Sequence, residues 1–229
     1  NIIIAGGVGS FEPRKLPLKE LTKFEGKSVF YSVTDKTLFK NKKISIFGGG
    51  DSALDWALEF SKYSKVTLIH RRNEIRDAPH TLKELEKLKA EGKITIKTPF
   101  QIESINEGKE IKFINIKNDD EKTEKIETDI ILGFFGLIMQ LGPIAEWGLN
   151  MDKKTIKVNT ENFQTNKPGI FAIGDICSYP GKLKLILSGF HEAALASVEC
   201  FKRARPNETY RFQFTTSSKE IQDRLGIKK

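Results

Sequence analysis

Lys43-Ile44-Ser45-Ile46-Phe47-Gly48-Gly49-Gly50-Asp51-Ser52-Ala53-Leu54-Asp55-Trp56-Ala57 is the stretch from which the rest of this chain is read. The apolar run Ile44 to Phe47 predicts a buried strand. The three glycines predict a tight turn, and Asp51 onward predicts a helix. Gly48, Gly50 and Ala53 match the spacing G-x-G-x-x-G/A. In that pattern the first glycine permits the turn and the second lets backbone approach a pyrophosphate. The third small residue lets the helix sit close to the strand. The N-terminus of the helix then offers unpaired N–H groups to phosphate oxygens. Glycine turns also join strands to helices that bind nothing, so the spacing alone leaves both readings open.

The next apolar run, Lys65-Val66-Thr67-Leu68-Ile69, predicts a second strand. A site for NAD usually carries an acid about 20 residues past the glycines, where it binds ribose hydroxyls. Here the strand ends in His70-Arg71-Arg72, with Arg76 close behind. A carboxylate would repel a 2′-phosphate, whereas guanidinium groups hold phosphate through paired bonds. The charges therefore favour NADP over NAD. A solvated basic loop is the alternative, and the position at a strand end weighs against it.

Composition removes other classes. The 229 residues suffice for one large domain or two modest ones. No apolar run has transmembrane length, and no signal peptide opens the chain, which points to a cytoplasmic protein. Cys177 and Cys200 form no C-x-x-C, and three histidines without ligand spacing offer no metal site. The net charge of +8 comes from lysines spread along the whole chain. That distribution speaks against nucleic acid and suits an acidic protein partner or an anionic cofactor. The chain opens on Asn1 inside an apolar run, which reads as a fragment lacking an upstream region.

Taken in order, Asn1 to Ala5 predicts a strand and Phe11-Glu12-Pro13-Arg14 a turn. Thr34 to Asn41 reads as a polar link anchored by Leu38 and Phe39. Thr81 to Glu91 predicts an amphipathic helix that Gly92 stops. Ile94 to Ile96 is a third strand of the unit. Short strands follow around Ile102 and Phe113 to Ile116, and the alternation slips between Phe113 and Ile114, as in a bulge or in a strand buried on both faces. Thr128 to Gly133 returns the chain to a buried strand, so Ile44 to Ile131 is one α/β unit with an antiparallel insert. Thr155 to Val158 reads as an edge strand. Asn166 to Asp175 reads as turn, buried strand, and an acid at the strand's C-terminal end, where ligands sit in open α/β sheets. Gly189 to Lys202 predicts a helix. Tyr210, Phe212 and Phe214 alternate as a strand or an arm, and Ser217 or Ser218 caps a last helix.

Three pieces, Gly48 to Ala53, His70 to Arg72 and Gly169-Ile170-Phe171-Ala172-Ile173-Gly174-Asp175, resemble the thioredoxin-reductase-like flavoproteins. Gly9 to Leu16, Asp55-Trp56-Ala57 and Leu185 to Phe190 narrow the resemblance to the ferredoxin–NADP reductases of that type. The resemblance implies a Rossmann-like three-layer NADPH domain, 33–133, inserted in an incomplete FAD-binding α/β domain, 1–32 with 134–201. Residues 202–229 become a C-terminal extension. It implies that Gly48, Gly49, Gly50, Asp51 and Ser52 hold the NADPH pyrophosphate, and that His70, Arg71, Arg72 and Arg76 surround the 2′-phosphate. Asp175 would bond the ribityl chain of FAD, Ile186 would lie beside the isoalloxazine, and Phe214 would cover the flavin. It implies a homodimer passing electrons from NADPH through FAD to ferredoxin or flavodoxin, with no side chain acting as acid or base. The FAD-side glycine fingerprint is absent, so this chain is expected to bind FAD poorly. A related oxidoreductase with another acceptor and a non-catalytic NADP-binding remnant are the alternatives.

Overall fold

Isoleucines at alternate positions of Lys43–Phe47 point to one face of the strand they form, and Ser45 and Phe47 point to the other. The same two-sided burial recurs in the neighbouring strands and dictates a layered architecture. The computed structural model describes every residue except Val8, Arg76, Asp77, Glu107, Gln213, Thr215 and 227–229.

The chain begins with strands β1 (Ile2–Ile4), β2 (Ser10–Pro13), β3 (Val29–Phe30) and β4 (Lys43–Phe47). Helix α1 (Asp51–Phe60), β5 (Lys65–Ile69), α2 (Pro79–Ala90) and β6 (Ile94–Lys97) follow. Next come β7 (Gln101–Ile105), β8 (Phe113–Lys117), β9 (Thr123–Glu127), β10 (Ile130–Gly133) and β11 (Leu137–Gln140). The remainder is β12 (Met151–Asp152), β13 (Thr155–Lys157), β14 (Ile170–Ala172), β15 (Cys177–Ser178), α3 (Ile186–Ala204) and α4 (Lys219–Arg224). These form two compact units, 12–138 and 1–11 with 139–229.

Unit 12–138 has a five-stranded sheet ordered β3-β10-β4-β5-β6, parallel throughout. One face packs α1 and α2 through Ile44, Ile46, Leu54, Ala57, Phe60, Leu68 and Leu85. The other packs the antiparallel sheet β7-β8-β9 through Phe47, Ile69, Ile131, Ile102, Ile114 and Ile116. The result is the predicted three-layer Rossmann-like arrangement with an antiparallel insert. Residues 12–32, expected with the other domain, pack here. Leu16, Leu21, Phe24 and Val29 fill the second core, and β3 adds to the parallel sheet.

Of the two readings of the slip between Phe113 and Ile114, the structure has the strand covered on both faces, Ile114 and Ile116 buried and Phe113, Asn115 and Lys117 half-buried, rather than a bulge in that strand. β8 pairs with β9 residue for residue, and the irregularity lies in β7 between Ile102 and Ser104. β8 is the middle strand of three, so Ile114 and Ile116 enter the core while the bulge falls on the outer strand. Strand β9 carries one apolar residue among charges, Thr-Glu-Lys-Ile-Glu, which hides its strand character. Phe39 alone anchors the link before β4, stacked on Phe60 with ring centroids 4.8 Å apart, while Leu38 is exposed. Pro79 opens α2 two residues before the expected start, because a first-turn proline has no N–H to lose.

Residues 11–14 do not make a turn. Ser10–Pro13 is β2, and among the described residues it pairs with β11 alone in a two-stranded ribbon. On such an edge Pro13 removes no obligatory ladder bond. The chain passes between the two units at these strands.

In the other unit β1 pairs in parallel with β14, Ile4 opposite Ala172. β13 is the central strand of the sheet β12-β13-β15 rather than an edge, which explains why Ile156 is fully buried. Helix α3 starts at Ile186, three residues before its expected start. Ser218 caps α4 by accepting the Ile221 N–H. Tyr210, Phe212 and Phe214 lie in no strand.

Candidate functional site

The C-terminal ends of four adjacent strands, β10, β4, β5 and β6, point to one edge of the parallel sheet in unit 12–138. A cleft of about 550 Å³ lies along that edge. Gly48, Gly49 and Gly50 leave β4 and enter it. His70, Arg71 and Arg72 leave β5 and enter it beside them. Two segments about 20 residues apart in sequence meet because β4 and β5 pair in parallel, Phe47 opposite Ile69. The ladder continues one step further, Gly48 N–H donating to the Ile69 carbonyl at 3.1 Å.

Each glycine has its own geometry. A Cβ on Gly48 would lie 2.8 Å from the Ala53 Cβ and 2.7 Å from the Phe134 carbonyl oxygen. Strand exit and helix therefore touch at Gly48 and Ala53. A Cβ on Gly49 would lie 2.3 Å from His70 Nδ1. Gly50 is exposed, with nothing within 4 Å of a Cβ built there. It is the N-cap of α1, and no side chain caps that end. Asp51 and Ser52 begin the helix and are exposed. An anion at Gly50 would meet open helix N–H groups without displacing protein atoms.

The basic side of the cleft is asymmetric. Arg71 and Arg72 are exposed, with no ion pair among the described residues. His70 is half-buried between them and Gly49, its main chain fixed by bonds to Lys97 and Phe100. Burial, followed by the neighbouring positive charges of Arg72 and Arg71, pushes the imidazole below its ordinary value. Arg76, expected in this group, lies outside the described residues. Phe47, Ile69 and Phe100 give the cleft an apolar floor.

Sequence reasoning missed Arg14 and Lys15, which line the same cleft. A basic pair at the exit of a strand was the available signal. It was not usable while residues 11–14 read as a turn.

The other expected positions lie in the second unit. Gly174 and Asp175 sit in a short 3-10 turn directly after β14. Asp175 is half-buried and makes no hydrogen bond among the described residues. Ile186 is 82% exposed in the first turn of α3, with Leu187 and Phe190 similarly bare. Phe214 is exposed, its ring edge-on to Phe212.

A buried polar cluster lies behind the Gly174 turn. Glu192, fully buried on α3, accepts the Gly174 N–H at 2.6 Å and the Tyr179 hydroxyl at 2.8 Å. It also pairs with Lys182, whose side chain is 8% exposed. The carboxylate therefore ties the Gly174 turn to the helix. Nothing in the local spacing of Glu192 announces its burial, which the packing of α3 on the Gly174 turn decides.

Residues 1–196 match the sequence model of the pyridine nucleotide-disulphide oxidoreductases. The chain is 64% identical over 229 residues to a ferredoxin–NADP reductase of Pelagibacter ubique, covering 100% of this chain and 68% of that protein. A ferredoxin–NADP reductase of Beijerinckia indica is 46% identical over 227 residues, covering 99% of this chain and 66% of that one. The chain thus spans about two thirds of the length of these curated relatives. Among solved structures it resembles thioredoxin reductase of T. acidophilum, with a TM-score of 0.71 and 26% identity over 88% of this chain and 65% of that one. Thioredoxin reductase of Lactococcus lactis gives 0.70 and 27% over the same shares.

Proposed function

The chain belongs to the pyridine nucleotide-disulphide oxidoreductase family, and from that premise we propose that it serves a flavin-dependent passage of electrons from NADPH to ferredoxin or flavodoxin. The observation that carries the NADPH half is the convergence of Gly48 to Gly50 and His70 to Arg72 in one cleft. Open helix N–H groups at Gly50 suit the pyrophosphate, with Asp51 and Ser52 at its edge. Two guanidinium groups without partners among the described residues suit the 2′-phosphate. Arg76 belongs to this group by its sequence position. The acceptor follows from the likeness to the ferredoxin–NADP reductases of Pelagibacter ubique and Beijerinckia indica, and the spread of lysines on a chain of net charge +8 suits an acidic partner.

The residues of the second unit fit FAD. Asp175 presents an acceptor unengaged among the described residues in the turn after β14, which packs on α3, and the first turn of α3 exposes Ile186 and Leu187. A polyhydroxyl chain and a flat aromatic ring need those two surfaces. In this reading Asp175 holds the ribityl hydroxyls, Ile186 flanks the ring, and Phe214 shields it. When bound, FAD supplies the exchange between two-electron and one-electron chemistry. The protein's task is to hold and orient, and no side chain needs to move a proton. A homodimer and a cytoplasmic location complete the proposal. Among the described residues no helix is long and apolar enough to cross a membrane.

Reduction of a disulfide by cysteines of this chain is disfavoured, since Cys177 is buried and the sequence holds no C-x-x-C. The test is a steady-state assay, with NADPH, ferredoxin and a cytochrome reporter, on a chain of the curated relatives' length. NADPH-dependent reduction of the reporter through ferredoxin is expected. Fast transfer to another acceptor with none to ferredoxin would overturn the proposal.

A further inference from the structure

The cleft runs farther than the expected nucleotide residues. Its wall follows the sheet order from Phe134 to Gly136 after β10, through Gly48 to Gly50 after β4, to His70 to Arg72 after β5, and on to Phe100 before β7. With a pyrophosphate at Gly50 and a 2′-phosphate at Arg71 and Arg72, the adenosine half occupies the β5 side. The remaining half of an extended dinucleotide then has one direction open to it, toward β10.

Arg14 stands at that end. Its backbone N–H donates to the Gly136 carbonyl at 3.0 Å, which fixes it beside the segment leaving β10. Its side chain lines the cleft, is exposed, and has no ion pair among the described residues. The adjacent Lys15 also lines the cleft, but it is neutralised by Glu25 at 2.8 Å. The β10 end therefore holds one uncommitted guanidinium, opposite in position to the pair at the β5 end. A planar fork of donors suits a phosphate oxygen better than a base or a ribose hydroxyl.

We infer that Arg14 binds the nicotinamide-side phosphate of the dinucleotide, a role that rests on the NADPH reading above. The consequence separates it from Arg71 and Arg72. NADPH and NADH share that phosphate, so Arg14 contributes to affinity without choosing between them. Arg71 and Arg72 choose between them.

The experiment measures equilibrium binding of NADPH, NADH and 2′,5′-ADP to the 229-residue chain and to Arg14→Gln. The last ligand has the adenosine half and the 2′-phosphate but lacks the nicotinamide-side phosphate. Arg14→Gln is expected to weaken NADPH and NADH by the same factor, roughly three- to tenfold for one exposed charge-assisted contact, and to leave 2′,5′-ADP unchanged. Arg14→Lys should recover part of the loss, keeping the charge without the fork. Unchanged affinity for all three ligands would overturn the inference. So would a loss shared by NADPH and 2′,5′-ADP but not NADH, which would put Arg14 at the 2′-phosphate. If the unaltered chain binds none of the three, the NADPH reading itself falls, and the inference with it.

Discussion

The imidazole of His70 lies directly over Gly49, so close that a Cβ on the glycine would come within 2.3 Å of Nδ1. The middle glycine of the turn is thus tied to the basic end of the neighbouring strand. The two motifs are therefore packed against each other at this point. Gly49→Ala should force the ring out of place, and an aromatic ring in a packed turn does not shift freely. NADPH binding is expected to weaken while the fold persists. If the Gly49→Ala chain binds NADPH as tightly as the parent in a titration, the position of His70 is immaterial.

The flanking glycines should respond differently. Gly48→Ala meets the Phe134 carbonyl and Ala53 at under 3 Å, so it should cost about 2–3 kcal/mol of stability, seen as a lower Tm. Gly50→Ala meets nothing within 4 Å and should leave Tm nearly unchanged. It should still reduce nucleotide affinity, because the added methyl occupies the space where phosphate would approach the helix. Thermal melts and binding titrations on both variants check the contrast.

Arg71→Ala combined with Arg72→Ala should weaken NADPH far more than NADH. Charge-assisted bonds contribute ~1.5–3 kcal/mol each, so the selective loss should exceed about tenfold. Equal weakening of both nucleotides would remove the 2′-phosphate role.

His70 gives the free chain a pH dependence. Burial, together with Arg72 and Arg71, holds its folded value below 6.5. The unfolded chain then binds the proton first as pH falls. Stability is complete above 6.5 and declines as pH drops from there toward the folded value. His70→Asn should flatten that decline. Melting curves between about pH 7.5 and pH 5 would reveal it, and identical slopes for both chains would refute it.

Glu192 and Lys182 form a pair whose halves depend on each other. Burial pushes the carboxyl upward, but the bonds from Lys182, Tyr179 and the Gly174 N–H outweigh it, leaving Glu192 below its ordinary value. Its stabilisation is present above pH 4.5 and is lost as acid titrates the group. Removing one partner strands a buried charge, so Glu192→Gln or Lys182→Met alone should cost about 3 kcal/mol or more. The double variant should cost clearly less than the two singles together. Strict additivity in denaturant unfolding would mean that the pair is not coupled. The same pocket pushes the Cys177 thiol up to about 12, through burial first and the Glu192 charge second. Native-state alkylation near neutral pH should therefore leave Cys177 unmodified.

The sequence alone determined the strand, turn and helix around Gly48, because glycine spacing and a short apolar run are local properties. It also determined the sign of the charges after β5, since His70-Arg71-Arg72 follows its strand without interruption. The family resemblance was legible for the same reason, each motif being a contiguous run. Tertiary structure decided everything that depends on which strand lies beside which. It made Ser10–Pro13 a ribbon strand, put the irregularity of the antiparallel sheet in β7 rather than β8, and drew residues 12–32 into the unit that holds the cleft. It brought Arg14 to the cleft's far end and buried Glu192 with Lys182. Local spacing records the conformation of a segment, whereas the partner of an exposed arginine or a helix glutamate is set by parallel pairing and burial across the chain.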